Sequence, residues 1–417
     1  MDAAIPAVTP ALLAHARPHP GAAPEVLLVL AADLGDAPAL RAELFSRMQE
    51  IEEELLMDAI GLPELATTAE ELAATWESDP HHERDCALAV DGAGRCLGAA
   101  TIALPLRENL ESADVRVMTL PELGTDLARL TADALWNRID RIAAARGRTV
   151  LYGYEEHADH PRANFTAAAL GDREAGTGDC AHVSGDAAGD LGSGSGEVSP
   201  PSRPLLTLAP DHGALFADDP VVRRFAERGF RLVQIERFSV LPVRDVPVRA
   251  VPAGLRAESW VGDVPDRLLP AVAHLFTVFE ETIPTGEAEF DAVVHTPERV
   301  RDEDRLRRAR GMTAYGTVLL ADADDAPLGL TFFEVCTGRE FGFQEHTVTV
   351  PAARGRGYAA LLKELNAGHL RAQAPEVERI YTWNAAENAP MLAINNRVGF
   401  RPLGMTGLWQ RGGSAAD

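Results

Sequence analysis

Lysine is almost absent from this chain: of 39 basic residues only Lys363 is lysine, which reads as coding bias toward arginine and says nothing about chemistry. Cysteine is scarce as well. Cys86, Cys96, Cys180 and Cys336 show neither CxxC nor CxxxC spacing, so zinc cluster and disulfide framework both drop out and four free thiols remain. No run approaches the roughly 20 apolar residues of a membrane helix. Met1 to Pro10 lacks the basic region and apolar core of a signal peptide, so a cytoplasmic protein without a membrane partner is expected. Positive charge is in deficit, with 63 acidic against 39 basic residues and a formal charge of −24. A chain of that sign repels a phosphate backbone, and nucleic acid is not an expected partner. His81-His82-Glu83 with Cys86 reads as a polar surface loop, and no metal is expected.

What is present suits packed cores: 417 residues, 46% of them hydrophobic, which at roughly 100 to 200 residues per domain asks for two or three domains. An internal repeat organises them. Near the C-terminus an alternating run, Glu345 to Val350, meets Pro351. A helical stretch (Tyr358 to Gln373), a strand (Arg379 to Trp383), Asn384 and a second helical stretch (Glu387 to Val398) lead into Gly399-Phe400. The order recurs upstream in Val115 to Leu120, Pro121, Asp126 to Arg146, Thr149 to Tyr154 and Val221 to Arg228 before Gly229-Phe230. Val350 to Asn384 and Leu120 to Tyr154 both span 34 residues, whereas the first copy carries 60 extra residues further on. Gly171 to Pro204, rich in Gly, Ser, Asp and Pro, reads as a disordered insertion that cannot bury enough surface to order itself. The expected units are therefore residues 1–245, with an insertion at about 157–204, and residues 250–417.

In the second unit Pro265 to Thr282 and Pro297 to Arg310 read as helices. Thr313 to Asp322, Leu328 to Cys336 and Phe341 to Val350 follow as strands on short links that force antiparallel pairing. The last strand runs into Pro351 and then Arg354-Gly355-Arg356-Gly357-Tyr358-Ala359-Ala360 at a helix start. Glycine there lets successive N–H groups converge, and a helix N-terminus favours an anion, so the segment reads as a phosphate cradle. The Gly-Lys-Ser/Thr of a P-loop is missing. Gly355-Arg-Gly357-Tyr-Ala-Ala360 fits the dinucleotide fingerprint, but an antiparallel meander precedes it and Asn384, not a carboxylate, ends the next strand.

Arg354-Gly-Arg-Gly357-Tyr-Ala359, the element order, and Asn384, Asn388 and Gly399-Phe400 resemble the GNAT superfamily of N-acetyltransferases, over about 165 residues of the second half. The first half resembles it weakly, and two such units in one chain look like the mycothiol-synthase arrangement. The resemblance implies two tandem α/β domains, each a mixed, mainly antiparallel sheet flanked by helices. It implies an N-acyltransferase with acetyl-CoA as co-substrate and a small-molecule amine as acceptor. Pantetheine would pair with backbone at Val348 and Val350, the pyrophosphate would sit on amides of Gly355 to Ala360, and an N–H near Thr347 or Val348 would hold the thioester oxygen. Asn384 and Asn388 would complete the cofactor site. Glu345 and His346 are the candidate bases. Where the family often carries a thiolate-protonating Tyr stands Asn395, which has no proton to give at neutral pH. In the first half Gly124, Thr125, Asp126 and Leu127 fall on Arg354, Gly355, Arg356 and Gly357, so that half is expected to bind no cofactor. Glu280, Glu281, Glu287, Glu289 and Asp291 suggest an acidic rim for a cationic amine. The rival class is a pseudoenzyme that binds acyl-CoA without turnover.

Overall fold

A computed structural model describes residues 5–18, 25–157, 203–209 and 212–413; the predicted insertion, apart from Arg203 and Pro204, lies outside them. The first repeat runs α1 (Pro10–Leu13), β1 (Arg17–Pro18), β2 (Leu27–Leu30), α2 (Pro38–Ile60), α3 (Ala69–Ser78), β3 (His82–Val90), β4 (Cys96–Pro105) and β5 (Ser112–Thr119). It continues as α4 (Thr125–Ala145), β6 (Val150–His157), a small hairpin β7 (Leu205–Leu206) and β8 (Leu215–Phe216), α5 (Pro220–Glu227) and β9 (Arg231–Pro242). The second runs β10 (Leu255–Val261), α6 (Leu269–Glu280), α7 (Pro297–Ala309), β11 (Met312–Ala321), β12 (Pro327–Cys336), β13 (Phe341–Thr349), α8 (Tyr358–Gln373), β14 (Arg379–Ala385), α9 (Ala389–Val398) and β15 (Arg401–Arg411). Among the described residues no helix is long and apolar enough to cross a membrane.

Thirteen strands form one mixed sheet in the order β1-β2-β3-β4-β5-β6-β15-β9-β14-β13-β12-β11-β10. Among the described residues only β5 with β6 and β13 with β14 pair in parallel. The two repeats exchange their last strands. β15 lies between β6 and β9, and β9 lies between β15 and β14, so each repeat's sheet is completed by the other. Strand pairing thus runs without a break across the seam, and the backbone hydrogen-bonding groups of these central strands find partners that an isolated repeat would leave open.

Helices cover both faces of the second repeat. Ala360, Ala367 and Leu370 of α8 and Val398 of α9 pack with Phe333, Ile380 and Phe400 on one face. Val272, Leu275 and Phe276 of α6 and Val300 of α7 pack with Val318, Leu330, Phe332 and Val348 on the other. Each repeat also reaches over its neighbour on that second face. Ile60, Leu62 and Leu65, at and just after the end of α2, pack with Phe238, Tyr381 and Leu403 beside Phe343 and Trp383. In return the segment after α6 docks on the first repeat: Glu287 N–H donates to Val233 O at 2.9 Å, Tyr152 Oη to Glu289 O at 3.0 Å, and the Phe290 ring lies 4.8 Å from that of Tyr152.

That docking corrects the acidic rim. Glu287 pairs with Arg231 at 2.8 Å and Asp291 accepts from Asn109 N–H at 2.6 Å, so these two hold the repeats together, while Glu280 faces His295 within the second repeat, and the three do not converge on one cleft. The polar loop at residue 82 is also corrected, since His82 opens β3 and its Nδ1 lies 3.0 Å from Asp79. Among the described residues no group of three or more His, Cys, Asp or Glu is placed to hold a metal.

Candidate functional site

β13 and β14 start together and then part. Their pairing covers only Phe341 to Phe343 against Arg379 to Tyr381, while β14 stays on β9 as far as Ala385. Beyond Phe343 the β14 side of β13 is an open edge, and a cavity of about 250 Å3, lined by Phe279, Phe343, Gln344, Glu345, His346 and Trp383, lies where the strands separate.

A β-bulge sets the chemistry of that cavity. Thr331 faces Thr347 and Phe333 faces Gln344, so Glu345 and His346 together oppose the single residue Phe332. Simple alternation would send neighbouring side chains to opposite faces. Here Gln344 and Thr347 are tied on the α8 side: Lys363 Nζ of α8 donates to Gln344 Oε1 at 3.1 Å, and the Thr331 and Thr347 hydroxyls lie 2.8 Å apart. The two residues between them turn toward α6 and α7. His346 stacks on Phe276 at 4.8 Å and meets Phe279 edge-on at 4.2 Å, while Glu345 feels the charges of Glu334, Arg307 and Arg310.

Those surroundings separate the two candidate bases. Glu345 opens onto the cavity, and its carboxyl is pushed up to about 8 by desolvation and then by Glu334, against the pull of Arg310 and Arg307. His346 is pushed down to about 4, first by burial among the aromatic rings, and its Nδ1 finds no protein partner. Behind it His295 lies 3.2 Å from Glu303 and 3.5 Å from Glu280; burial alone would lower its pKa, but those carboxylates prevail and push it up to about 9. A cationic His295 further disfavours a proton on His346.

Strand register corrects the backbone assignment. Val350 N–H donates to Leu328 O at 3.0 Å, and a Cβ on Gly329 would meet Val348 O at 2.5 Å, so Val348 and Val350 turn their backbone groups to β12. The alternate residues Thr347 and Thr349 present theirs to the open edge.

The loop that follows is built to take an anion. Gly355 and Gly357 have φ of 72° and 77°, left-handed values that cost an L-residue roughly 1–2 kcal/mol. Gly357 caps α8, and the first bond of that helix is Leu361 N–H to Gly357 O at 3.1 Å. The six amides of residues 355–360 have no protein acceptor among the described residues. Arg354 and Arg356 are exposed beside them, and among the described residues no carboxylate pairs with either. Tyr358 is half-buried, while Ala359 and Ala360 are buried and let α8 lie close to the sheet.

The asparagines are placed differently from one another. Asn388 caps α9, its Oδ1 accepting from Met391 N–H at 3.2 Å, so its side chain is structural. Asn395 Nδ2 donates to Asn384 Oδ1 at 2.6 Å, which brings these two together, and the buried Asn395 Oδ1 has no partner.

The first repeat lacks the loop, for a reason other than the side-chain register predicted. α4 begins five residues after Leu120, whereas α8 begins eight after Val350. Gly124, not Leu127, therefore takes the place of Gly357, at an ordinary φ of −58°, and Asp126 lies in the first turn of the helix. β5 leaves β6 after Val115 and Gly153, and there the ring of Phe225 sits 2.8 Å from where a Cβ on Gly153 would be, within a cluster with Trp136, Phe230 and Trp409.

Comparison with solved structures names this architecture. A tandem GNAT protein from the clavulanic acid biosynthesis pathway superimposes with a TM-score of 0.63 at 21% identity, over 94% of this chain and 100% of that one. The chain has the tandem GNAT fold. A GCN5-related N-acetyltransferase from Sphaerobacter thermophilus aligns with a TM-score of 0.53 at 16% identity, over 92% of this chain and 95% of that one. No protein-family profile and no curated protein matches the sequence. In GNAT terms, the open edge of β13, the six free amides and the cavity all belong to the second repeat.

Sequence reasoning missed Lys363. It is 1% exposed, its Nζ lies 4.9 Å from the centre of the Phe400 ring, and desolvation pushes it down to about 7. Through it Gln344 is held so that its Nε2 reaches Phe332 O at 2.9 Å and His346 O at 3.2 Å, the carbonyls on either side of the bulge. A signal was available: Ala359, Lys363, Asn366 and Leu370 share one helical stripe, and all four are buried.

Proposed function

We propose that this protein is an acetyl-CoA-dependent N-acetyltransferase that acetylates the primary amine of a small molecule by direct attack on the thioester. The observation that carries the reading is the run of six unpartnered amides at the head of α8, flanked by two unpaired arginines and leading to an open strand edge and a cavity. These residues fit an acyl-CoA. The amides of residues 355–360 with Arg354 and Arg356 would hold the pyrophosphate, Thr347 and Thr349 would pair with pantetheine, and the co-substrate would supply an acyl group activated as a thioester.

The protein's own groups then divide the work. Glu345, ionised, takes the proton of the acceptor ammonium directly or through water, which frees the nitrogen lone pair. The Thr347 N–H on the open edge stabilises the oxyanion that develops as nitrogen attacks. Asn395 positions and does not protonate, so water returns the proton to the leaving sulfur. His346, neutral, walls the cavity with Phe279 and is backed by Phe276. The first repeat acts as a scaffold and shapes the acceptor side through Ile60, Leu62 and Leu65.

Two measurements test the assignment. Calorimetric titration with acetyl-CoA is expected to give a stoichiometry near one per chain, because α4 lacks the three extra loop residues and Phe225 fills its cleft; a value near two would overturn the division between the repeats. Gly357→Glu is expected to weaken that binding at least about tenfold, the loss of one or two charge-assisted hydrogen bonds at ~1.5–3 kcal/mol each. No protein atom lies within 4 Å of a Cβ at Gly357, so the fold should survive while the carboxylate and the left-handed φ oppose the anion. Unchanged affinity would remove the phosphate cradle. Acetyl-CoA binding without acetylation of any amine would point instead to the pseudoenzyme.

A further inference from the structure

Where the repeats exchange strands, the same face of the sheet that carries Glu345 bears a row of acids with no cation on its inner members. Thr406 on β15 is directly opposite Glu156 of β6 on one side and Glu236 of β9 on the other, so the three side chains share a face. Glu387, just beyond β14, joins them: its Oε1 accepts from Gln234 Nε2 at 2.7 Å and its buried Oε2 has no partner. Arg116 lies 3.9 Å from Glu156 but is committed to Glu52. Among the described residues Glu236 has neither ion pair nor hydrogen bond; desolvation, then Glu387 and Glu156, push it up to about 7.

Acids alone would be solvated surface. The second observation is Thr406, 3% exposed, whose hydroxyl has no partner and stands between the two glutamates. A buried hydroxyl left unpaired costs about 1–3 kcal/mol. With two carboxylates and Glu387 Oε2 it makes a set of oxygens whose inner members have no cation on them among the described residues. The exposed Tyr154, one step along β6, leaves the row open to solvent.

We propose that this seam is a subsite for the second basic group of a doubly basic acceptor, an ammonium or guanidinium held by Glu236, Glu387 and Thr406, with Glu156 as its outer wall. This rests on the acyltransferase reading and narrows its substrate class to diamines or amines that carry a guanidinium. The subsite lies on the same face of the sheet as the cavity. Glu236 is two residues beyond Phe238, whose ring stacks at 4.6 Å on Trp383 of the cavity wall. That is roughly 7 Å along β9; β14 lies one strand spacing of about 5 Å from β9, and β13, splayed from β14 at this level, lies at least one more away, which puts the two ends of the substrate at least about 12 Å apart. Both repeats are needed, since Glu156 and Glu236 lie on strands of the first repeat, while Thr406 on β15 and Glu387 on the turn between β14 and α9 belong to the second.

The test is calorimetric titration of the full chain with an α,ω-diaminoalkane of about that length and with the monoamine of equal chain length, beside acetylation assays on both. The diamine is expected to bind at least about tenfold more tightly, and Glu236→Gln to reduce the ratio to about one. Thr406→Val, nearly isosteric, should reduce it by several-fold and serves if the first variant unfolds. Equal affinities in the parent protein, or a preference that survives both substitutions, would overturn the subsite. A preference that depends on Glu236 without any acetylation would sustain the subsite and refute the acyltransferase reading.

Discussion

Glu345→Gln is expected to lower kcat/KM for amine acetylation by about two to three orders of magnitude, within the range general-base groups supply, and to change the pH profile as well as the rate. In the parent protein the carboxylate is the active form. With its pKa pushed up to about 8, activity should fall as pH drops through that value, because desolvation and the neighbouring Glu334 favour the protonated carboxyl. The glutamine variant should lose this limb and retain only the dependence set by the acceptor's own ammonium. His346→Phe is the companion: it keeps the ring stacked among Phe276, Phe279 and Phe332 and removes a nitrogen that is not protonated above pH of about 4, so the limb near 8 should persist. A limb that disappears with His346 and survives the loss of Glu345 would reverse the two roles. The measurement is a set of kcat/KM profiles from pH 6 to 10 with a saturating acyl donor.

The division of labour between these neighbours depends on a feature that local pattern obscures. Phe341 and Phe343 alternate as a half-buried strand should, but Val348 is five residues further on and out of phase with them, and the polar run Gln344-Glu345-His346-Thr347 between has no period of two, which is what a bulge looks like before the partner strand is known. The meander, the glycine loop and the span of α8 were legible because each is written locally: short links, positive-φ glycines and an apolar stripe. The exchange of β9 and β15 was not. Either strand would satisfy its pattern beside either repeat, and only the whole sheet decides which edge it closes. The register of the first loop was misread because the equal spacing of 34 residues arises from compensation, a shorter loop followed by a longer helix, and not from residue-by-residue correspondence. Lys363 was misread for the opposite reason. Its rarity was treated as composition, when its place on the buried stripe of α8 was the observation that mattered.

Lys363→Met is expected to make the protein more stable and less active. Burial holds Lys363 near a pKa of about 7 against an ordinary 10.5, so the unfolded chain binds a proton that the folded chain releases between those values. Stability therefore rises with pH through that window as the cost of uncharging the amine fades, a cost on the order of 4–5 kcal/mol at pH 7 and close to zero by about pH 10.5. Methionine fills the same volume without that cost. Against it stands Gln344 Oε1, which loses its Lys363 donor at ~1–3 kcal/mol and keeps only the longer bond from Thr331 Oγ1 at 3.4 Å, so the net gain at pH 7 should be about 1–4 kcal/mol and should shrink, then change sign, toward pH 10. Denaturant melts of both proteins across that range measure it directly. Activity should move the other way: once Gln344 is released, its Nε2 no longer secures Phe332 O and His346 O, the bulge loosens, and Glu345 loses its aim, for roughly a tenfold fall in kcat with little change in acetyl-CoA affinity. A variant equally stable at every pH would show that Lys363 is not desolvated. A variant more stable and fully active would show that the strut from α8 to the bulge does not position the base.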